Sequence, residues 1–355
     1  MTIIIFIIIL GLLVLIHELG HFIVAKKNGI LVEEFGFGFP PRLFSLKIGE
    51  TRYSFNLLPI GGFVKLYGEE YADVNERKSP LANRAFVNKK PWQKSLVIIA
   101  GVIGNFLLGW ILVSYLFTQG VPVPLNRVKV ESVVKNSPAE KSGLKINDYI
   151  TELKKDGKTY AIKTTTDISG FSKKFAGEEV VLTVIRDNKT FLIKTTPRKV
   201  IPAGQGPLGI AITSFTVSKY PWYQAPFYGL IESASMTKRI IVELLKTLFL
   251  LVTFQRPQLD ITGPIGIARY TGEAIKFGLN AVLELMAILS LNLAVVNILP
   301  FPALDGGRLV FVIYEWVTKK RVNSKFERNM NLAGIIILLS LAVLISISDV
   351  LKIIK

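Results

Sequence analysis

Both histidines of this 355-residue chain lie in one five-residue stretch, His17-Glu18-Leu19-Gly20-His21. On a helix, residues four apart share a face, so His17 and His21 can aim two imidazole nitrogens at one metal ion while Glu18 projects beside it. A zinc-dependent hydrolase needs that spacing. The stretch sits inside an apolar run long enough to cross a bilayer, where an ionisable residue is a functional candidate by default. The competing reading is that the imidazoles only bridge packed membrane helices as polar glue.

A hydrolytic zinc site wants a third protein ligand and an open fourth position. Far down the chain, Asn297-Ile298-Leu299-Pro300-Phe301-Pro302-Ala303-Leu304-Asp305-Gly306-Gly307-Arg308 offers one carboxylate, Asp305. Two prolines break the helix there and two glycines let the chain turn, so Asp305 is displayed at a helix interruption. It could instead be a solvated turn residue. The histidine pair favours ligation, because carboxylate oxygen is an ordinary zinc donor.

The elements that must hold these residues are membrane spans. Half of the residues are hydrophobic and mean hydropathy is +0.44, yet the formal net charge is +17. The basic residues must therefore lie outside the apolar runs. They are spread over loops without interleaved aromatics, which argues against nucleic acid and for anionic lipid. With no cysteine, disulfides and cysteine-ligated metals are excluded. Four stretches can span a bilayer: Thr2 to Val24, Leu96 to Phe117, Val282 to Leu299 and Leu332 to Ile347. The first lacks the basic start and cleavage site of a signal peptide and reads as a retained helix. A fifth, Ile240 to Phe254, is short and preceded by Lys238, Arg239, Glu243 and Lys246, as in an interfacial amphipathic helix.

Short loops rich in Lys and Arg face the cytoplasm. Lys26 and Lys27 open the first loop, and Lys319, Lys320, Arg321, Lys325 and Arg328 lie between spans three and four, so both loops are expected to be cytoplasmic. The N-terminus and the long region between spans two and three are then expected outside. That region holds a soluble block, about Asn126 to Arg198, with strand-like runs Val128 to Val134, Tyr149 to Leu153, Val180 to Ile185 and Thr190 to Thr195. Ser137-Pro138 gives a helix start and Gly143 a stop. The block resembles a bacterial PDZ domain, a module that takes an extended chain end onto a sheet edge; a small sandwich that only spaces the membrane parts is the alternative.

Between spans one and two, the runs Leu43 to Ile48, Arg52 to Leu57 and Phe63 to Tyr67 suggest a meander, joined at Gly49-Glu50 and at Pro59-Ile60-Gly61-Gly62. It either dips beside the metal motif and offers a strand edge to a substrate, or is an ordinary cytoplasmic hairpin.

Taken together, the chain resembles a bacterial site-2 protease, an intramembrane zinc metalloprotease of the branch that carries PDZ domains. The family's His-Glu-x-x-His and Asn-x-x-Pro-x-Pro-x-Leu-Asp-Gly signatures are both complete here, and Gly101 to Asn105 and Thr262-Gly263-Pro264-Ile265-Gly266 add weaker matches. Gly36-Phe37-Gly38-Phe39-Pro40 carries one phenylalanine more than the usual Gly-x-Gly-Pro, and Val102 stands where proline is common. The resemblance implies a multi-pass α-helical membrane protein with about four transmembrane helices, a membrane-reentrant β-meander and one inserted PDZ-like domain. Its parts would be 1–25, 26–93, 94–118, 126–198, 199–281, 282–313 and 331–352. It also implies that His17, His21 and Asp305 hold Zn2+, that Glu18 is the general base, and that Asn297 positions the substrate backbone. Pro300, Pro302, Gly61 and Gly62 join Asn297 as candidate substrate-binding positions. Substrates would be single-span membrane proteins already trimmed by another protease, such as anti-sigma factors, or signal-peptide remnants, cut in the bacterial inner membrane. The alternative is a non-catalytic PDZ-bearing scaffold or chaperone with a structural zinc site.

Overall fold

A computed structural model describes residues 1–69, 80–253 and 262–354. The chain divides into two compact units, one made of Met1–Thr118 with Pro221–Lys355, the other of Gln119–Tyr220. In the first unit, four helices are long and apolar enough to cross a membrane: α1 (Thr2–Lys27), α2 (Pro91–Gln119), α7 (Leu279–Asn297) and the Ser324–Lys352 part of α9 (Ser324–Ile354). They cover the four expected spans. α1, α2 and α9 each expose many large apolar side chains, as lipid-facing helices do; α9 shows Ile336, Leu339, Leu344 and Ile347 to the outside, whereas α7 exposes Leu279 alone among its large apolar residues.

The same unit carries α5 (Ala225–Val252), α6 (Pro264–Phe277) and α8 (Asp305–Thr318). The amphipathic stretch expected from Ile240 is the second half of α5, which starts a full four turns earlier; Phe254 lies outside the described residues. The sequence reading ran the third span on to residue 313. In the structure the helix stops at Asn297, seven non-helical residues follow, and α8 is a separate helix beginning at Asp305. Pro300 and Pro302 remove two backbone donors, and Ala303 adopts a left-handed φ of 75°, so the chain cannot continue as α-helix.

The region after α1 is a sheet of β1 (Val32–Ile48) and β2 (Thr51–Leu66), both sharply bent. Phe35 pairs with both Tyr53 and Val64, and Phe44 pairs with Phe55. Four extended segments therefore lie in the order 42–48, 51–56, 32–39, 62–66. This corrects the meander: Val32 to Phe39 inserts between two segments expected to be consecutive. The 62–66 segment is an edge among the described residues. Gly38 makes this possible, because its φ is 78° and a side chain there would collide with the Leu58 carbonyl. At the turn, Glu50 receives Arg84 at 2.6 Å and Lys26 at 3.0 Å, which pull its carboxyl down to about 2.

One buried carboxylate ties the helices together at a distance. Asp349 in α9 is 5% exposed and accepts the backbone N–H groups of Gly263 and Gly266 at 2.9 and 2.8 Å, capping the start of α6 from another helix. In lipid those donors would have no water to turn to.

The second unit is a five-strand path with order β7-β6-β4-β3-β8 and β5 attached to β4. The strands are β3 (Val121–Val133), β4 (Tyr149–Lys155), β5 (Lys158–Ala161), β6 (Val180–Arg186), β7 (Lys189–Thr195) and β8 (Ile210–Ser218). Alternate apolar residues Val128, Val130, Ile150, Leu153, Leu182 and Val184 meet Ile168 from α4 (Thr165–Lys174) in one core. Ser137 caps α3 (Pro138–Lys141) through the Glu140 N–H, as its Ser-Pro start predicts. This unit is longer than the 126–198 block, because β8 pairs antiparallel with β3 and forms the end of the strand path on that side.

Replacing Asp349 with leucine strands two buried N–H groups, at about 1–3 kcal/mol each. The expected outcome is a clear fall in the melting temperature of the detergent-solubilised chain, with an unchanged melting curve counting against the cap.

Candidate metal centre

The centre is built where α1 and α2 cross. Gly20 of α1 lies against the Ala100 carbonyl of α2, and Gly104 of α2 against the Ile16 carbonyl of α1, so any Cβ at either position would meet backbone. Small residues at a helix crossing let the backbones approach closely. Gly101 stands directly under the imidazoles: a Cβ there would strike His21 Nε2 and His17 Cε1. The two rings meet edge to face with centroids 4.7 Å apart.

His17 Nε2 and His21 Nε2 are 3.2 Å apart. Asp305 Oδ2 comes within 3.0 Å of the first and 3.2 Å of the second. It arrives from the first turn of α8, whose N-terminal end favours a carboxylate. Gly306 packs on the Ile298 and Leu299 carbonyls and Gly307 on Phe301, so the turn after α7 folds tightly onto the start of α8. Asn331 of α9 accepts the Ala303 N–H at 3.3 Å, and Gly334 lies against Pro302.

Three donor atoms thus make a nearly equilateral triangle with sides of 3.0 to 3.2 Å. Ligands in a tetrahedral zinc shell at 2.0–2.1 Å from the metal are separated by about 3.3 Å, so the triangle fits three corners of such a shell. Asp305 Oδ2 is buried and faces the two imidazole nitrogens alone. Such an atom needs a cation. His21 donates Nδ1–H to the Val97 carbonyl at 2.8 Å, which leaves its Nε2 lone pair free to face the others.

Glu18 lies on the neighbouring side of α1 and, with His21 and Asp305, lines a cavity of about 190 Å³. The edge segment of β2 forms another wall through Phe63, Val64 and Leu66. Gly62 packs close to Glu18: a Cβ there would sit 3.5 Å from Glu18 Cγ. Gly61, φ 98°, faces the Phe39 ring. Asn297, at the end of α7, places Nδ2 3.3 Å from His17 Nε2. Pro300 is exposed and Pro302 packs on α9; neither is among the residues lining the cavity.

Several residues here were not singled out from sequence. Arg308 pairs with Glu69 inside the same cavity, tying the end of β2 to α8. Lys94 of α2, 3% exposed, pairs with Glu315 of α8 at 2.8 Å. The signal for Lys94 was a lysine one turn inside an apolar helix; Glu69 gave none. Asn105 entered only as the end of the Gly101 stretch, yet it is fully buried beside His17.

Because one methyl group suffices to displace both rings, Gly101→Ala is expected to lower the zinc content of the purified chain and Gly101→Val to abolish it. Elemental analysis of the folded protein checks this, and stoichiometric zinc in the valine variant would contradict the geometry.

Residues 5–341 match peptidase family M50. A Clostridium perfringens protein whose name describes it as a zinc metalloprotease is 38% identical over 340 residues, 95% of each chain. The regulator of sigma-W protease RasP of Bacillus subtilis is 31% identical, and the zinc metalloprotease RasP of Bacillus licheniformis 30%, each over 98% of both chains. With apolar helices carrying a metal-ready triad, and relatives of that description along almost its whole length, the chain belongs to peptidase family M50 and is a zinc metalloprotease of the site-2 type.

Proposed function

We propose that His17, His21 and Asp305 hold the zinc ion and that Glu18 is the general base in hydrolysis of peptide bonds within or near the transmembrane segments of membrane-anchored substrates. The observation that carries this is the convergence of two imidazole nitrogens and one carboxylate oxygen, from helices at opposite ends of the chain, at 3.0 to 3.2 Å. Zinc bound there supplies a Lewis acid that activates water near neutral pH and polarises a carbonyl. Glu18, fixed by its place on α1, takes the proton of the attacking water and returns it to the leaving amine. The apolar walls from Phe63, Phe86, Val97 and Ile98 limit competing solvent and strengthen these electrostatic effects.

The substrate is proposed to bind as an added strand on the 62–66 edge. Gly61 and Gly62 allow its backbone to approach Glu18 closely, and a helical segment must be unwound before it can pair there. Asn297 is placed to hold the carbonyl of the bond being cut. Pro300 and Pro302 act through the turn that presents Asp305. The 119–220 unit is read as PDZ-like: β8 is an end strand packed near α4, and the Gly206-Pro207-Leu208-Gly209 turn leads into it. An extended chain end is expected to pair with β8. Titration of the full chain with a short peptide tests this, and equal binding of the free-acid and C-terminally amidated forms would exclude recognition of a chain end.

Orientation follows the basic loops. The Lys26–Glu50–Arg84 cluster and the Arg321–Glu315–Lys94 cluster gather positive charge beside the first loop and beside the α8–α9 connection, and both are assigned to the cytoplasmic side. The N-terminus and the 119–220 unit are then outside. The relative named regulator of sigma-W protease favours a substrate whose cleavage releases a transcriptional regulator.

Glu18→Gln is expected to keep zinc and lower cleavage of a membrane-anchored peptide by at least the 10²–10⁴-fold typical of a lost general base. His21→Ala is expected to lose zinc. Metal content and cleavage measured side by side decide it, and a fully active Gln variant would remove Glu18 from the role.

A further inference from the structure

His21 has its back nitrogen on a carbonyl; the equivalent atom of His17 does not. His17 Nδ1 lies 3.3 Å from the side-chain nitrogen of Asn105 and 3.4 Å from that of Asn297, two groups that only donate. The arrangement would suit a ring protonated on Nε2. Yet Nε2 is the atom that faces Asp305 and His21, and an imidazole that gives Nε2 to a metal must carry its proton on Nδ1. That proton needs an acceptor.

Asn105 holds one. Its Oδ1 is buried without a partner and the residue is wholly inaccessible to solvent. The two ends of a side-chain amide have nearly the same shape and exchange by a half-turn about the last bond. The half-turn would place Oδ1 where Nδ2 stands, 3.3 Å from His17 Nδ1, so that Oδ1 and the ring proton satisfy one another while Nδ2 takes the former place of Oδ1. The backbone is fixed for the purpose, since Ser290 of α7 donates to the Asn105 carbonyl at 2.7 Å. Asn105 is thereby held by its backbone between α1 and α7.

We infer that Asn105 is a positioning residue that accepts the Nδ1–H of His17 through Oδ1 and so fixes the tautomer and ring orientation with which His17 presents Nε2 to zinc. It does for His17 what the Val97 carbonyl does for His21. The two histidines are thus oriented from behind by different chemistry: one by helix backbone, one by a side chain that substitution can change. Partners of this kind commonly contribute 10–100-fold to metal affinity.

The inference rests on His17 as a zinc ligand, and its test separates the two. Zinc affinity of the full-length chain in detergent is measured by competition with a chromophoric chelator. Asn105→Leu, similar in size but without an acceptor, is expected to bind zinc about 10–100-fold more weakly. Asn105→Asp, which can only accept, is expected to bind at least as tightly as the parent. Ser290→Ala, which removes the backbone tether and leaves the amide, is expected to bind like the parent. Parental affinity in Asn105→Leu would overturn the inference, as would equal weakening in Ser290→Ala, which marks a packing effect. Weak binding by Asn105→Asp would do so too, by showing that the amide donates to His17; that arm decides the matter even where the leucine variant does not fold. Zinc retained by His17→Ala would instead remove the ligand assignment itself. In nitrogen NMR of the zinc-loaded parent, His17 should appear with its proton on Nδ1.

Discussion

The structure turns on a conflict between charge and lipid. Two imidazoles and a carboxylate stand within about 3 Å of one another among helices whose remaining surface is apolar. A buried carboxylate oxygen without a hydrogen bond is destabilising by several kcal/mol unless a cation meets it. A metal held by the three, as proposed above, would resolve the conflict. Everything nearby serves the placement of these three groups: glycines bring α1 and α2 into backbone contact, a broken helix delivers Asp305, and ion pairs orient α8.

Much of this was legible in the residues. The His17–His21 spacing requires a shared helical face, and the prolines before Asp305 require a break, so both halves of the centre could be read locally. Their meeting was inferred from zinc's need for a third ligand and strengthened by the resemblance, since no local rule brings residue 305 to residue 17. Gly101 and Gly104 looked like a weak motif. Their reason is geometric: each lacks a side chain where a neighbouring backbone or ring already fills the space.

Other parts were illegible for physical reasons. Phe35 to Phe39 alternates phenylalanine and glycine, and nothing local says that the Val32 to Phe39 segment will insert between two segments that follow it in sequence. β8 was hidden by the Pro- and Gly-rich stretch from Pro197 to Gly209, which reads as a linker although it folds back to pair β8 with β3. Asp349 drew no notice in the sequence, because its role is a cap supplied to α6 from a different helix. The third span was expected to reach Leu299 and its helix stops at Asn297, so the prolines that follow gave the break to within two residues, while the separate helix α8 lay inside the stretch 282–313 assigned to that span.

The charged contacts around α8 explain why Asp305 can be delivered by a turn and still be held accurately. Buried ion pairs add little net stability, because desolvation offsets most of the attraction, but removing one partner is costly, so they select one arrangement among several. Lys94–Glu315 fixes the far half of α8 to α2, and Arg308–Glu69 fixes its near half to the end of β2. Arg308 lies one turn from Asp305, and Glu69 follows the 62–66 strand within three residues. Asp305 and the 62–66 strand, an edge among the described residues, therefore share one support. If a substrate peptide adds to that edge as proposed, the same ion pair that places α8 places the peptide relative to Asp305, and substrate register and metal geometry would be set together.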